Sequence, residues 1–139
     1  MSNQRELAYQ SVYDLEISLF KSFHVLNSFL LEGLQVLSNP ADRFKLRAQY
    51  LTALRSILEN FKLLSRKLIL YSRVFGFGTE DRKKFEANHR KNSTIIKRRI
   101  KYLENAAKGW SQKQRNELQY LAQILNQTLM DKENLYKVL

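Results

Sequence analysis

Cysteine is absent from the 139 residues, proline occurs once, histidine twice and glycine four times. Without thiols there is no disulfide framework and no thiolate metal site. One proline and four glycines leave few places for the backbone to break, so long helices joined by short links are expected in place of sheet or disorder. No apolar run reaches the eighteen or so residues of a membrane span. The opening MSNQRELAYQ has no positively charged leader followed by an apolar core, so a cytoplasmic protein with no membrane partner is expected. His24 and His89 lack accompanying carboxylates at ligand spacing, and the Glu-x-x-His pair of di-iron bundles does not occur, so neither a metal nor another cofactor is expected.

What is present is apolar and basic. An apolar content of 44% suffices for one core, and the length suits a single domain over residues 1–139. Net charge is +11. Lys and Arg minus Asp and Glu comes to −2 over residues 1–38, +6 over 39–79, +6 over 80–110 and +1 over 111–139, so the excess belongs to the middle of the chain. A balance this basic points to a polyanionic partner, with nucleic acid ahead of an anionic membrane surface.

Four helices can be read from the periodicity. The first runs from about Gln4 to Leu37, with Val12, Leu15, Leu19, Phe23, Leu26, Leu30, Leu34 and Leu37 recurring at three and four. Tyr9, Tyr13, Ile17, Phe20 and Leu31 widen that stripe, an arc that either sits deep between two helices or also meets another subunit. Asn39-Pro40, with Asp42 behind it, signs the start of a second helix that continues to Phe75. Gly76-Phe77-Gly78-Thr79 ends it; with no strand before and no Gly-Lys-Ser/Thr, these glycines form an interhelical turn and not a phosphate loop. Thr79 is a cap for a third helix from about Glu80 to Lys108, built on Ile96, Ile100, Leu103 and Ala107. Gly109 sits where a helix C-terminal glycine belongs, and Ser111 to Gln114 match a capping box. A fourth helix follows from about Gln112 to Met130 on Leu118, Leu121, Leu125 and Leu129, before a weakly patterned tail, Asp131 to Leu139. The fold class expected is all-α, an up-down-up-down four-helix bundle in which the short links make consecutive helices antiparallel neighbours.

The second helix carries two faces. Phe44, Leu51, Leu54, Leu58, Phe61, Leu68 and Phe75 line one. Arg55, Lys62, Arg66 and Arg73 line the other, within roughly 40° of a single line at 100° per residue. The third helix repeats the arrangement with Lys83, Arg90, Lys97, Lys101 and Lys108. Glu59, Glu86 and Glu104 lie off these rows, and a row of one sign repels itself unless a polyanion screens it, so nucleic-acid binding is the expected role. No zinc finger, helix-turn-helix or aromatic sheet motif is visible for reading bases. Arg98, Arg99, Tyr71 and Tyr102 offer stacking for unpaired bases, which favours RNA. A different reading rests on Arg82 and His89, whose six-residue separation loosely matches the arginine-spacer-histidine pattern of the helical HEPN ribonucleases. A third is a structural protein-binding bundle within a ribonucleoprotein complex.

The stretch Ala41-Asp42-Arg43-Phe44-Lys45-Leu46-Arg47-Ala48-Gln49-Tyr50-Leu51, then Ala53 and Ser56 to Asn60, resembles the small four-helix-bundle family that includes the proteins of ribosomal RNA intervening sequences and the Avd accessory proteins of diversity-generating retroelements. Pro40 with Arg43-Phe44 fits that family's Pro-x-x-Arg-Phe start, and Leu103 to Leu125 resembles its third-to-fourth helix junction. The resemblance implies a basic homo-oligomer, a pentamer, that binds a reverse transcriptase and its template RNA and has no active site of its own. On that implication the basic rows are RNA contacts and the wide arc of the first helix is partly a subunit interface.

Overall fold

The structure, a computed structural model, describes residues 2–37, 44–76 and 79–138. They form α1 (Ser2–Leu37), α2 (Phe44–Phe75), α3 (Thr79–Ala106) and α4 (Gln112–Val138), with a 3₁₀ turn, Ala107–Gly109, before α4. The cap expected at Asn39, Pro40 and Asp42 and the side chains of Tyr9, Phe44 and Thr79 lie outside the described residues.

Helix directions follow from which rings meet. Phe23 packs edge-on against Phe61 and Phe29 stacks on Tyr50, so α1 and α2 are antiparallel. Tyr13 meets Phe85 and Phe23 meets His89, so α1 and α3 run parallel. Arg82 reaches Tyr136 and His89 reaches Leu129, which makes α3 and α4 antiparallel. The chain therefore runs up, down, up, down. Around the bundle, however, the order is α1, α2, α4, α3: each helix packs on two others, and α2 and α3 stand across the diagonal. This corrects the expectation that α2 and α3 are neighbours. A short link makes consecutive helices reverse direction, but it does not oblige them to pack along their lengths. The order also keeps like charges apart: each of the two most cationic segments packs on an α1 segment of net charge −2 and an α4 segment of +1.

The expected seams form the core. Val12, Leu19, Phe23, Leu26 and Leu30 of α1 are buried with Leu51, Leu54, Leu58, Phe61 and Leu68 of α2, Ile96, Ile100 and Leu103 of α3, and Leu118, Leu121, Leu125 and Leu129 of α4. Phe75 departs from the pattern; at the last turn of α2 it is 43% exposed and meets only the edge of Tyr71 among the described rings. Part of the second stripe of α1 is taken up by α3, where Tyr13 packs on Phe85, while Phe20 and Leu31 remain exposed. The tail is helical to Val138 and buries Lys132, Leu135 and Tyr136, so α4 is two turns longer than its leucine seam suggests.

Helix ends have local causes. Gly76, at φ +78°, adopts the left-handed conformation that closes α2 and bonds its N–H to the Ser72 carbonyl at 2.7 Å. The third helix stops earlier than expected, at Ala106, and Gly109 closes a 3₁₀ turn without a left-handed φ; there the Trp110 N–H bonds the Ala107 carbonyl at 2.9 Å. Ser111 acts as expected, its Oγ accepting the Gln114 N–H at 3.2 Å.

Gly33 lets α1 and α2 approach closely. The Tyr50 ring lies over it, stacks on Phe29 at 4.6 Å and donates its hydroxyl to the Phe29 carbonyl at 3.1 Å. A Cβ at position 33 would collide with that ring. Gly33→Ala is expected to destabilise the bundle by about 1–3 kcal/mol, as overpacking does, and thermal denaturation followed by circular dichroism measures the loss.

Candidate nucleic-acid interface

The two rows flank α4. On α2, Arg55 pairs with Glu117 of α4 at 3.4 Å, and Lys62 and Arg66 line a groove whose far wall is Tyr120, Gln123 and Gln127 of α4. Past the end of α3, Lys108 of the 3₁₀ turn shares a pocket with Gln112, Asn116 and Gln119 of α4. Lys83, Arg90, Lys97 and Lys101 of α3 recur at steps of seven, seven and four, on the same side of the core seam as Arg82, which bonds α4. At 1.5 Å per residue the α2 row is roughly 27 Å long and the α3 row roughly 38 Å. Between them runs the outer face of α4, where Gln112, Asn116, Gln119, Gln123, Asn126 and Gln127 are all exposed, as are Tyr120 and Met130.

Of the ten cations expected at the interface, Lys62 is half-buried and Arg55, Arg66, Arg73, Lys83, Arg90, Lys97, Arg98, Lys101 and Lys108 are exposed. Among the described residues only Arg55, with Glu117, and Arg90, with Glu86 at 2.9 Å, form ion pairs. Glu86 is thus near enough to the α3 row to compensate one member of it. Exposed pairs of this kind are worth only about 0.2–1 kcal/mol, so a phosphate can displace them. Arg98 points away from the core, about 80° around α3 from the row, with Tyr102 exposed a turn later. Tyr71 is not gathered to the site: it is half-buried on the α1 side of α2, beneath Lys67 at 5.7 Å. The amide face of α4 was missed because isolated glutamines and asparagines look like ordinary solvated helix; their alignment opposite the leucine seam was the available signal.

A second polar cluster lies inside the bundle. Glu16 of α1 accepts the Tyr136 hydroxyl at 2.8 Å and faces Lys132 Nζ at 3.4 Å, and neither side chain is more than 3% exposed in that pair. The Lys132 ammonium also lies 5.7 Å from the Phe23 ring centroid and 5.4 Å from that of Tyr136. Burial lowers the Lys132 pKa against the opposing effect of Glu16, and burial followed by Glu16 raises that of Tyr136. The sequence did carry a signal: Glu16 stands between Val12 and Leu19, and Lys132 between Leu129 and Tyr136, both in seam positions.

Arg82 and His89 are tied into this cluster. Arg82 donates to the Tyr136 carbonyl at 2.5 Å, satisfying one of the carbonyls left open in the last turn of α4. The His89 ring is 2% exposed, sits 5.7 Å from the Tyr136 ring and has Nε2 3.1 Å from the Leu129 carbonyl. A carbonyl only accepts, so Nε2 carries the proton. Both side chains of the HEPN-like spacing therefore have structural partners within the same chain. His24 is exposed, edge-on to Phe20. Among the described residues no group of three His, Asp or Glu side chains is placed to hold a metal ion, and no helix is long and apolar enough to cross a membrane. Comparison with profiles of known protein families, with curated proteins and with solved structures finds no match to this chain.

Burial, then the Lys132 charge, depresses the His89 pKa from 6.5 to about 3. The unfolded chain takes up this proton near pH 6.5, whereas the folded one resists it until about pH 3. Stability from this group is therefore complete above pH 6.5 and declines as the pH falls toward 3, by about 1.4 kcal/mol per pH unit. Urea unfolding at a series of pH values measures the slope, and His89→Leu is expected to flatten it.

Proposed function

We propose that this all-helical four-helix domain is a non-enzymatic RNA-binding protein that receives its partner on the α2–α4–α3 face. The observation that carries the reading is the pair of cationic rows on either side of an amide-rich helix, with seven of their nine cations lacking an ion-pair partner among the described residues. Lysines and arginines in two lines suit phosphates of a folded or paired strand, which fix orientation without reading sequence. The glutamines and asparagines between them offer donors and acceptors at the height where 2′-hydroxyls and base edges approach. A purely structural bundle has no use for two rows of one sign, whose repulsion is compensated only in part, by Glu117 and Glu86, until a polyanion arrives.

The narrower form of the proposal follows from the resemblance to Avd-like proteins: an accessory subunit that associates with a reverse transcriptase and its template RNA as a homopentamer in the cytoplasm. Light scattering reads the assembly directly. A mass of five chains supports this form, and a single-chain mass removes it while leaving the RNA-binding reading standing.

RNA affinity is expected to fall steeply with salt, with a log–log slope of roughly −0.7 for each phosphate neutralised on a single strand. Arg66→Glu combined with Lys101→Glu should flatten that slope by about 1.4 or more and weaken binding similarly for unrelated sequences. Gel-shift titrations at two salt concentrations test this. Binding unchanged by the two reversals would sink the assignment of the rows.

A further inference from the structure

On the side of α3 away from the row, a groove between α1 and α3 contains a cavity of about 210 Å³ lined by Phe20, Phe23, Phe85, Asn88, His89 and Asn92, with Glu16 and Lys132 at its floor and Lys84 at its edge. It adjoins a second cavity of about 250 Å³ that shares Phe20, Phe23, Asn88 and Asn92 and continues to Asn27 and Lys91. Each is more than ten times the roughly 10–15 Å³ of such space that one water molecule needs.

Two buried polar atoms in this groove, His89 Nδ1 and Asn27 Oδ1, have no hydrogen-bond partner among the described residues. His89 Nε2 carries the ring proton toward Leu129, so Nδ1 offers a bare lone pair, and Asn27 Oδ1 is likewise an acceptor. Whatever satisfies them must bring N–H or O–H donors. The walls narrow the choice further. Phe20, Phe23 and Phe85 present aromatic surface from both helices, which suits a flat ring. Lys132 is already opposed by Glu16, so the floor is close to neutral and is not built for an anion. At the rim the situation reverses. Lys84 and Lys91, seven residues apart on the α1-facing side of α3, are exposed cations without an ion-pair partner among the described residues. Asn88 and Asn92, half-buried between the floor and the rim, can each donate and accept along one edge of the ring.

We infer that the α1–α3 groove binds a nucleotide, its base inserted between the phenylalanines with an amino or ring N–H donated to His89 Nδ1, and its phosphate held at the rim by Lys84 and Lys91. A purely apolar ligand leaves the two acceptors unmet; a bare anion finds no partner at the floor. The nucleotide is either free or an unpaired residue of a strand, since both present the same base and phosphate. The groove opens on the opposite flank of α3 from the rows, so the inference stands apart from the proposed α2–α4–α3 interface.

The test is a titration of the ¹⁵N-labelled full chain with adenosine monophosphate, with ribose 5-phosphate as the base-free control and a short oligoadenylate as the strand. The expected result is a saturable shift of the His89 ring nitrogens and the Asn27, Asn88 and Asn92 side-chain amides with adenosine monophosphate and none of these with ribose 5-phosphate. If oligoadenylate moves the same resonances the occupant is a residue of a strand; if only the mononucleotide does, it is a free nucleotide, and either supports the site. Asn88→Leu together with Lys84→Glu, both off the sealed core, should weaken mononucleotide binding about tenfold or more, with the melting curve reporting that the fold persists. The Arg66→Glu, Lys101→Glu protein should keep mononucleotide binding even where it loses RNA. Absence of saturable shifts up to millimolar ligand, or an equal response to ribose 5-phosphate, overturns the inference.

Discussion

The bundle is built around a buried contact between Glu16 and Lys132. It joins α1 to α4, the two helices that stand across the core from each other, and is sealed by the Tyr136 hydroxyl and the Phe23 ring. Desolvating both charges offsets much of their attraction, so the pair adds little net stability compared with apolar residues of the same size. Its effect is on specificity. Sliding α4 by one turn would strand an ammonium and a carboxylate in a core of leucines, at a cost of several kcal/mol for each. Leucine seams alone tolerate such slips, because one leucine replaces another at every turn.

That pairing determines much of what surrounds it. With the register of α4 set, Tyr136 lies beside His89 and its carbonyl receives Arg82, so the start of α3 is fastened to the end of α4. The same register carries the last two turns of α4 into the core in place of leaving them as a tail. His89, neutral and donating to Leu129, then closes the polar cluster at the bottom of the α1–α3 groove. Arg82 and His89, the pair of the arginine-spacer-histidine spacing, both bond carbonyls of α4.

The arrangement of the helices around the bundle is favourable electrostatically. Cationic α2 and α3 occupy opposite corners, each between α1 and α4. Every packed pair then contains at most one strongly cationic helix, and the rows are brought no nearer to each other than the width of α4 permits. On the proposed face this separation has a second consequence: positive charge lies along two lines with a neutral hydrogen-bonding strip between, an arrangement that can follow two stretches of phosphate at once.

The four helices, their leucine seams, the Ser111 cap and the left-handed glycine ending α2 were all legible in the sequence, because each depends on residues within a turn or two of one another. So were the nine cations of the two rows, since a seven-and-four spacing places each row on one line of its helix whatever the neighbours are; Arg98 lies off its row. The order of the helices around the core was not legible, nor was the fact that both rows border α4, because these depend on which seams meet and how like charges are kept apart. The partners of Glu16, Lys132 and His89 belong to the same class: a charged residue in a seam position signals that something must answer it, but the answering group lies up to 120 positions away in the chain. Local spacing determined what each helix is and which side of it is wet. Only the packing of four helices against one another decided which of those sides meet, since burial and charge pairing are properties of the assembled core and not of any one segment.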